Sequence, residues 1–271
     1  MLRINEYRRV ESLEEAYGLN QKKNNKIIAG GVWLKIGDRR LGTGIDLSGL
    51  SLDYITETDD VFMIGAMAVL RDIETHPGLL AYTDGAVKES IRHIVGVQFR
   101  NCATIGGSIY GRFGFSDVLT LFLAMDAEVE LYEGGMVPLK EFVHMPYDND
   151  ILVALHVKKK PIHIVYKSQR NTATDFPVAA CAVSEYDGKL HVSVGARPAR
   201  AELLEIASDA MPGTEDGIRA FAEELAGQFV FGSNRRAGAE YRRHVTGVLL
   251  ARALRELAGQ KQHESRNGEM K

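Results

Sequence analysis

Cysteine is scarce in this chain: only Cys102 and Cys181 among 271 residues carry a thiol. They stand far apart without a CxxC partner. The chain alone therefore cannot supply the roughly four soft ligands of an iron–sulfur cluster or a structural zinc site. Both read as small buried apolar residues, the usual place of a free cysteine. The eight histidines show no HxxxH or HExxH spacing, which disfavours catalytic zinc. Long apolar runs are missing too: Val118–Met125 falls far short of the roughly 18 residues needed to span a bilayer. Met1-Leu2-Arg3-Ile4 leads into mixed polar sequence with no signal-peptide block, which points to the cytoplasm. Charge of one sign is also lacking. A net charge of -3 gives no electrostatic case for nucleic acid or an anionic membrane. An electron-handling role would need a non-metal cofactor or a partner's metal.

What is present is ordinary globular composition, 45% hydrophobic and 25% charged. The length suits two or three compact lobes. The pattern predicts an α+β protein with two small α/β lobes, at 1–55 and 56–157. A three-stranded antiparallel sheet with a helical cluster follows at 160–258. The polar segment 259–271 is expected to be an unstructured tail.

Ser12 followed by Glu15 forms a capping-box pattern that starts a helix over Ser12–Leu19. Lys26–Ala29 reads as a buried strand, Val32–Ile36 as an apolar segment and Thr43–Leu47 as a strand. Val61–Ala66 reads as a strand, and Val69–Thr75 as a short helix stopped near Pro77. Ala86, Val87, Ile91, Ile94 and Val95 recur at helical spacing, which predicts an amphipathic helix over Gly85–Val95. Ser116 is a good N-cap, and Asp117 sits where the helix dipole favours negative charge. Glu128–Tyr132 and Ile151–Val157 read as strands. Farther on, Ile162–Lys167, Val178–Glu185 and Lys189–Gly195 alternate like a meander, with Asp187-Gly188 as a tight hairpin. Glu202–Ser208, Gly217–Phe229 and Ala239–Leu257 read as helices.

Neither a P-loop nor a GxGxxG fingerprint occurs. Instead there are two Gly-Gly turns, each read as following a β-like segment: Ala29-Gly30-Gly31 and Thr104-Ile105-Gly106-Gly107. Glycine lets a ligand approach the backbone, and successive amides in such a turn form a nest suited to phosphate oxygens. Two nests from separate lobes would match the two phosphates of a dinucleotide. Two tight turns without a ligand would leave the same pattern.

Together these stretches resemble the flavin subunit of molybdenum hydroxylases, of the xanthine dehydrogenase and carbon monoxide dehydrogenase type. The resemblance spans about residues 2–257 in unbroken order. Its strongest part is Arg100–Ile109, similar to the family's RNxATIGGNI. Ala29-Gly30-Gly31 resembles the start of AGGTDL, and Ile64-Gly65-Ala66 precedes a short helix. Ser116-Asp117, Ala127-Glu128-Val129, Pro138–Phe142 and Tyr241-Arg242-Arg243 are further expected pieces. The resemblance implies FAD, and two lobes forming a flavin cleft, followed by a C-terminal flavoprotein domain. Ala29, Gly30, Gly31, Val32, Trp33 and Leu34 would form one side of the pyrophosphate site. Ala103, Thr104, Ile105, Gly106, Gly107 and Ser108 would form the other, with the Thr104 hydroxyl donating to a phosphate oxygen. Asp117 would accept from ribityl or ribose hydroxyls, Leu152 would pack near the adenine, and Lys167 would lie near the flavin ring. A cation there would stabilise the anionic reduced flavin. An exposed strand lysine is the plainer reading of Lys167.

By the same resemblance a molybdopterin-binding large subunit oxidises the organic substrate. Electrons then pass through a [2Fe–2S] small subunit to the flavin and on to NAD or another acceptor. No catalytic residue for the organic substrate and no metal ligand is expected here, and His93 and His144 read as ordinary histidines. There are departures from the family pattern. Val32-Trp33 stands for Thr-Asp, Ser108 for Asn, and Tyr110–Phe115 for a small polar loop. Trp33 is expected in the core, with covering the flavin as its alternative, and Arg112 in solvent, with a phosphate or substrate contact as its alternative. Two other functions stay open at this level: a stand-alone FAD oxidoreductase of the same fold, and a non-catalytic assembly subunit that has lost FAD.

Overall fold

The computed structural model describes residues 1–269, with side chains through Gln260. Its helices are, in chain order, α1 (Leu13–Asn20), α2 (Leu70–Thr75), α3 (Pro77–Tyr82), α4 (Ala86–Ile91), α5 (Val97–Arg100), α6 (Ile105–Tyr110), α7 (Asp117–Leu123), α8 (Leu139–Phe142), α9 (Glu215–Gln228) and α10 (Ala239–Glu269). The chain's contacts divide it into two units. One comprises Met1–Ile73, Val95–Gly111 and Ala127–Lys158; the other comprises Glu74–Ile94, Arg112–Asp126 and the chain from Lys159 onward.

The first unit holds two sheets. β1 (Arg3–Arg9), β2 (Lys26–Ile28) and β3 (Arg40–Asp46) pair in parallel in the order β1-β3-β2. Every residue of β1 is exposed. Its ladder with β3 holds it in place rather than a buried face, so no apolar alternation announces it. α1 begins as the capping box requires: Ser12 Oγ accepts from the Glu15 N–H at 3.1 Å. The Glu15 carboxylate accepts from the Glu11 N–H at 3.0 Å, one residue ahead of the usual target. Val10, Ala16, Ile45, Leu47 and Ile151 form the core beneath α1.

The second sheet is antiparallel throughout. β4 (Ile55–Glu57), β5 (Val61–Gly65), β6 (Ala127–Leu131), β7 (Gly135–Pro138) and β8 (Leu152–Lys158) lie in the order β4-β5-β8-β6-β7. β8 is central, which explains its run of buried residues, Leu152–Leu155. Asn20 and Gln21 at the end of α1 both donate to the Asn149 carbonyl, at 2.7 and 3.1 Å, tying the helix to the approach to β8.

The second unit is built on β9 (His163–Gln169), β10 (Ala179–Tyr186), β11 (Lys189–Gly195) and β12 (Glu202–Ala207), antiparallel in the order β12-β11-β10-β9. Asp187 (φ 51) and Gly188 (φ 70) take the left-handed pair that a two-residue hairpin needs. Val183, Leu190, Val192 and Val194 pack against Ile218 and Leu225 of α9 and Leu250, Leu254 and Leu257 of α10.

The sheet thus has four strands, where the sequence predicts three and a helix over Glu202–Ser208. Six residues are too few for helical and alternating patterns to separate. Leu204 and Ile206 alternate onto the core, and the open edge of β11 supplies the ladder. The zone expected at 56–157 is also divided, because 74–94 and 112–126 join the unit of the later sheet. α7 is buried along its whole length. A Cβ on Gly195 would stand 2.1 Å from Thr120 Oγ1, and Ser184 donates to the Ala124 carbonyl, so α7 lies directly on β10 and β11. Pro77 does more than stop α2: it occupies the first turn of α3, with His76 Nδ1 accepting from the Leu79 N–H at 3.3 Å. α10 continues through Glu269, across most of the segment expected to be a tail. Extending a helix costs little once it is nucleated, and the segment's Gln, Lys, Glu and Arg are good helix formers. Positions 270 and 271 of the expected tail lie outside the described residues.

Candidate functional site

The two glycine segments meet in the first unit. β2 ends at Ile28, and Gly31 turns the chain with φ +67 into a 3-10 turn at Leu34–Ile36. Gly30 has no space for a side chain: a Cβ would sit 1.6 Å from the Cys102 carbonyl oxygen and 3.2 Å from the Ala103 nitrogen. The backbone runs of the two segments therefore touch. Among the described residues, the N–H groups of Gly30, Gly31 and Val32 have no acceptor within the protein. Such a run of unpaired amides is the donor set that phosphate oxygens require.

The second segment differs from its sequence reading. Gly106-Gly107 does not form a turn after a strand; it opens α6. Thr104 is the N-cap, its Oγ1 accepting from the Gly107 N–H at 3.2 Å. The Ile105 N–H goes to the Ala68 carbonyl at 3.0 Å, Gly106 N–H to Ala66 at 2.9 Å and Ser108 N–H to Thr104 at 3.2 Å. This corrects the picture of an open amide nest over Thr104–Ser108. Thr104 keeps its own N–H and its hydroxyl proton for a ligand. Gly106 is glycine for packing, since a Cβ would lie 2.6 Å from the Ala66 oxygen. Ala103 holds the segment to α2, its carbonyl accepting from the Leu70 N–H at 2.8 Å.

Trp33 is 44% exposed and Ile36 71%, so the expected core position of Trp33 is corrected. The turn after Gly31 displays its side chains instead of packing them. Arg112, expected in solvent, is buried at φ 44. Cys102 is exposed, whereas Cys181 is buried as expected. His144 is exposed, and His93 stands 3.8 Å from Glu89 one helical turn away. Leu152 is buried at the start of β8.

Asp117 and Lys167 belong to the second unit. Ser116 caps α7 by accepting from the Leu119 N–H at 3.1 Å, which sets Asp117 in the first turn. Asp117 is buried, and its Oδ1 accepts from both the Tyr166 hydroxyl and Arg170 Nη2, the latter at 2.6 Å. Burial pushes the Asp117 carboxyl up from the usual range, while Arg170 and then Tyr166 pull it down. Burial, reinforced by Asp117, pushes the Tyr166 phenol well above its ordinary range, so it stays a donor. Among the described residues Asp117 Oδ2 has no hydrogen-bond partner, which leaves one acceptor oxygen for a ligand. Lys167 Nζ stands 2.5 Å from Glu256 of α10.

Tyr166 and Arg170 are absent from the sequence reading. Their signal was available in their closeness to Lys167 in the chain, Tyr166 at a buried position of β9 and Arg170 just past its end. Among the described residues no group of three or more His, Cys, Asp or Glu side chains could hold a metal ion. Nor is any helix among the described residues long and apolar enough to cross a membrane.

Comparison with known proteins covers nearly the whole chain. The family model of the FAD binding domain in molybdopterin dehydrogenase matches residues 2–158, and that of the CO dehydrogenase flavoprotein C-terminal domain matches 164–257. The glyceraldehyde dehydrogenase medium chain of Sulfolobus acidocaldarius is 26% identical over 275 residues, covering 93% of this chain and 98% of that one. The nicotinate dehydrogenase FAD-subunit of Eubacterium barkeri is 32% identical over 129 residues, 45% of this chain and 43% of that one. A solved structure of carbon monoxide dehydrogenase from Hydrogenophaga pseudoflava superposes with a TM-score of 0.82 at 25% identity, over 93% of this chain and 96% of that one. The ordered motifs, the paired glycine segments and both family matches agree: this chain belongs to the FAD-binding flavoprotein subunits of the molybdenum hydroxylases, the flavin component of an oxidoreductase.

Proposed function

We propose that this chain relays electrons from the [2Fe–2S] clusters of a small partner subunit to NAD or another acceptor, while a molybdopterin-binding large partner oxidises the organic substrate. The observation that carries this reading is the contact of Gly30 with Cys102–Ala103. It seats the unpaired amides of Gly30, Gly31 and Val32 beside Thr104, so one diphosphate can be gripped by both segments. When bound, FAD supplies redox chemistry that takes up electrons singly and delivers them in pairs.

The chain's own residues bind and orient. The amides of Gly30–Val32 and the N–H and hydroxyl of Thr104 donate to phosphate oxygens. Ala29, Leu34, Ala103, Ile105, Gly106, Gly107 and Ser108 shape the cradle, and Trp33 flanks it. Asp117, held in place by Tyr166 and Arg170, offers Oδ2 to a ribityl or ribose hydroxyl. Leu152 lies on the adenine side. Lys167 stands near the ring, with Glu256 competing for its charge. Because amides grip phosphate whatever side chain they carry, Val32-Trp33 and Ser108 are compatible with binding. The matched relatives are named for an aldehyde and for nicotinate, which supports assigning substrate choice to the large partner.

The test is an absorbance spectrum of the purified chain, with the released cofactor identified by mass. We expect one FAD per chain, bleached anaerobically by NADH. A flavin that resists NADH removes NAD from the proposal and leaves the relay role. A colourless chain that refuses added FAD overturns the proposal in favour of an assembly subunit.

A further inference from the structure

The second unit contains a cavity of about 210 Å³ whose lining includes Phe115, Phe176, Pro177, Asn234, Arg236 and Arg242. Its walls are aromatic: the Phe115 and Phe176 rings are 4.3 Å apart, and the Arg236 guanidinium lies 4.9 Å from the Phe176 centroid. Its floor carries charge. Arg242 is 1% exposed and donates to the carbonyls of Val178 and Ala196 and to Asn234 Oδ1, all uncharged acceptors. Among the described residues its Nε has no partner. A buried guanidinium bonded only to neutral acceptors is a costly arrangement that an anion relieves. Burial and then the nearby positive Arg236 push Arg242 below its ordinary range, and no carboxylate offsets them. Asp175, which is not part of the cavity lining, stands 3.4 Å from Arg236.

We propose that this cavity binds a small aromatic carboxylate, its ring against Phe115 and Phe176 and its carboxylate at Arg242 and Arg236. Size supports a ring: a cavity of about 150 Å³ takes up benzene, and the remaining volume suits one carboxylate. Guanidinium groups match carboxylates in shape and charge. The site is independent of the electron-relay reading, but it is wired to Asp117. Arg170 bonds Asp117 Oδ1 through Nη2 and the Asp175 carbonyl through Nη1, both at 2.6 Å, and Asp175 in turn holds Arg236. A bound carboxylate competes with Asp175 for Arg236.

The experiment is calorimetric titration of the full chain with benzoate, benzamide and acetate. Arg242 anchors the fold, so the variants are Arg236→Gln, at a 40% exposed side chain, and Phe176→Leu. Benzoate should bind at one site per chain, at least tenfold tighter than benzamide or acetate. Each variant should weaken it several-fold, Arg236→Gln at least tenfold, with the thermal melt unchanged. Absent benzoate binding, benzamide binding as tightly, acetate binding as tightly, or parental affinity in both variants would each overturn the proposal.

Discussion

Gly30→Ala tests the contact on which the cofactor site depends. The added methyl would lie 1.6 Å from the Cys102 oxygen and 2.4 Å from its carbonyl carbon. Ordinary contact needs about 3.5 Å, so the two segments must part by roughly 2 Å. Backbone stands on both sides of the clash, and no side chain end is available to rotate away. Overpacking of this kind costs about 1–3 kcal/mol of stability. The separation also takes Thr104 out of register with the amides of Gly30–Val32. Losing one or two charge-assisted hydrogen bonds costs about 3 kcal/mol of binding, or about 100-fold in the FAD dissociation constant. The assay is FAD titration of the cofactor-free chain followed by flavin fluorescence, beside a urea melt. Gly31→Ala is the control. Its φ of +67 makes alanine strained, by about 1–2 kcal/mol, but its Cβ would meet only Ile28 Cγ2 at 3.9 Å. The segments need not part, and the FAD affinity should fall less than tenfold. A Gly30→Ala chain that binds FAD within threefold of the parent and melts at the same urea concentration would refute the reasoning.

Three further outcomes are expected. Asp117→Asn leaves the guanidinium of Arg170, 7% exposed, without its anion and should destabilise the chain by about 3–5 kcal/mol. Adding Arg170→Met should recover part of that in the same melt; a double variant as unstable as the sum of the singles would contradict the pairing. Cys102 should react with a thiol reagent in the folded chain, and Cys181 only on unfolding. Burial pushes the Cys181 thiol up to about 12 from an ordinary 9.0. Because the folded value is the higher one, its contribution to stability is complete below pH 9.0 and falls as pH rises toward 12. Cys181→Ala should flatten the stability profile in that window, and an unchanged profile would count against the burial argument.

The legible parts of the fold were those written in a residue's own backbone preference. Ser12 and Ser116 cap the helices they precede, and Asp187-Gly188 turns the hairpin. The strands with much buried length, β5, β8, β10 and β11, were also legible, because burial calls for apolar and β-branched residues there. β1 and β12 were not, since each is held by a neighbouring strand and carries little apolar alternation of its own. The same distinction runs through the site. The glycines of both segments were visible, but Gly30 needs to be glycine because of Cys102, and Gly106 because of Ala66.

By itself, then, the sequence determined that this chain cannot ligate a cluster, that its motifs follow one family's order, and where local turns and caps fall. Tertiary structure alone decided which amides remain unpaired, that Arg112 and Arg242 are buried, and that Asp117 shares its charge with Tyr166 and Arg170. The physical reason is one of range. Caps and turns depend on residues within a few positions of one another, whereas a hydrogen-bond partner, a buried charge or a steric limit depends on chain brought back from far away. In this protein Arg170 reaches Asp117 across 53 positions, a pairing that no local pattern encodes.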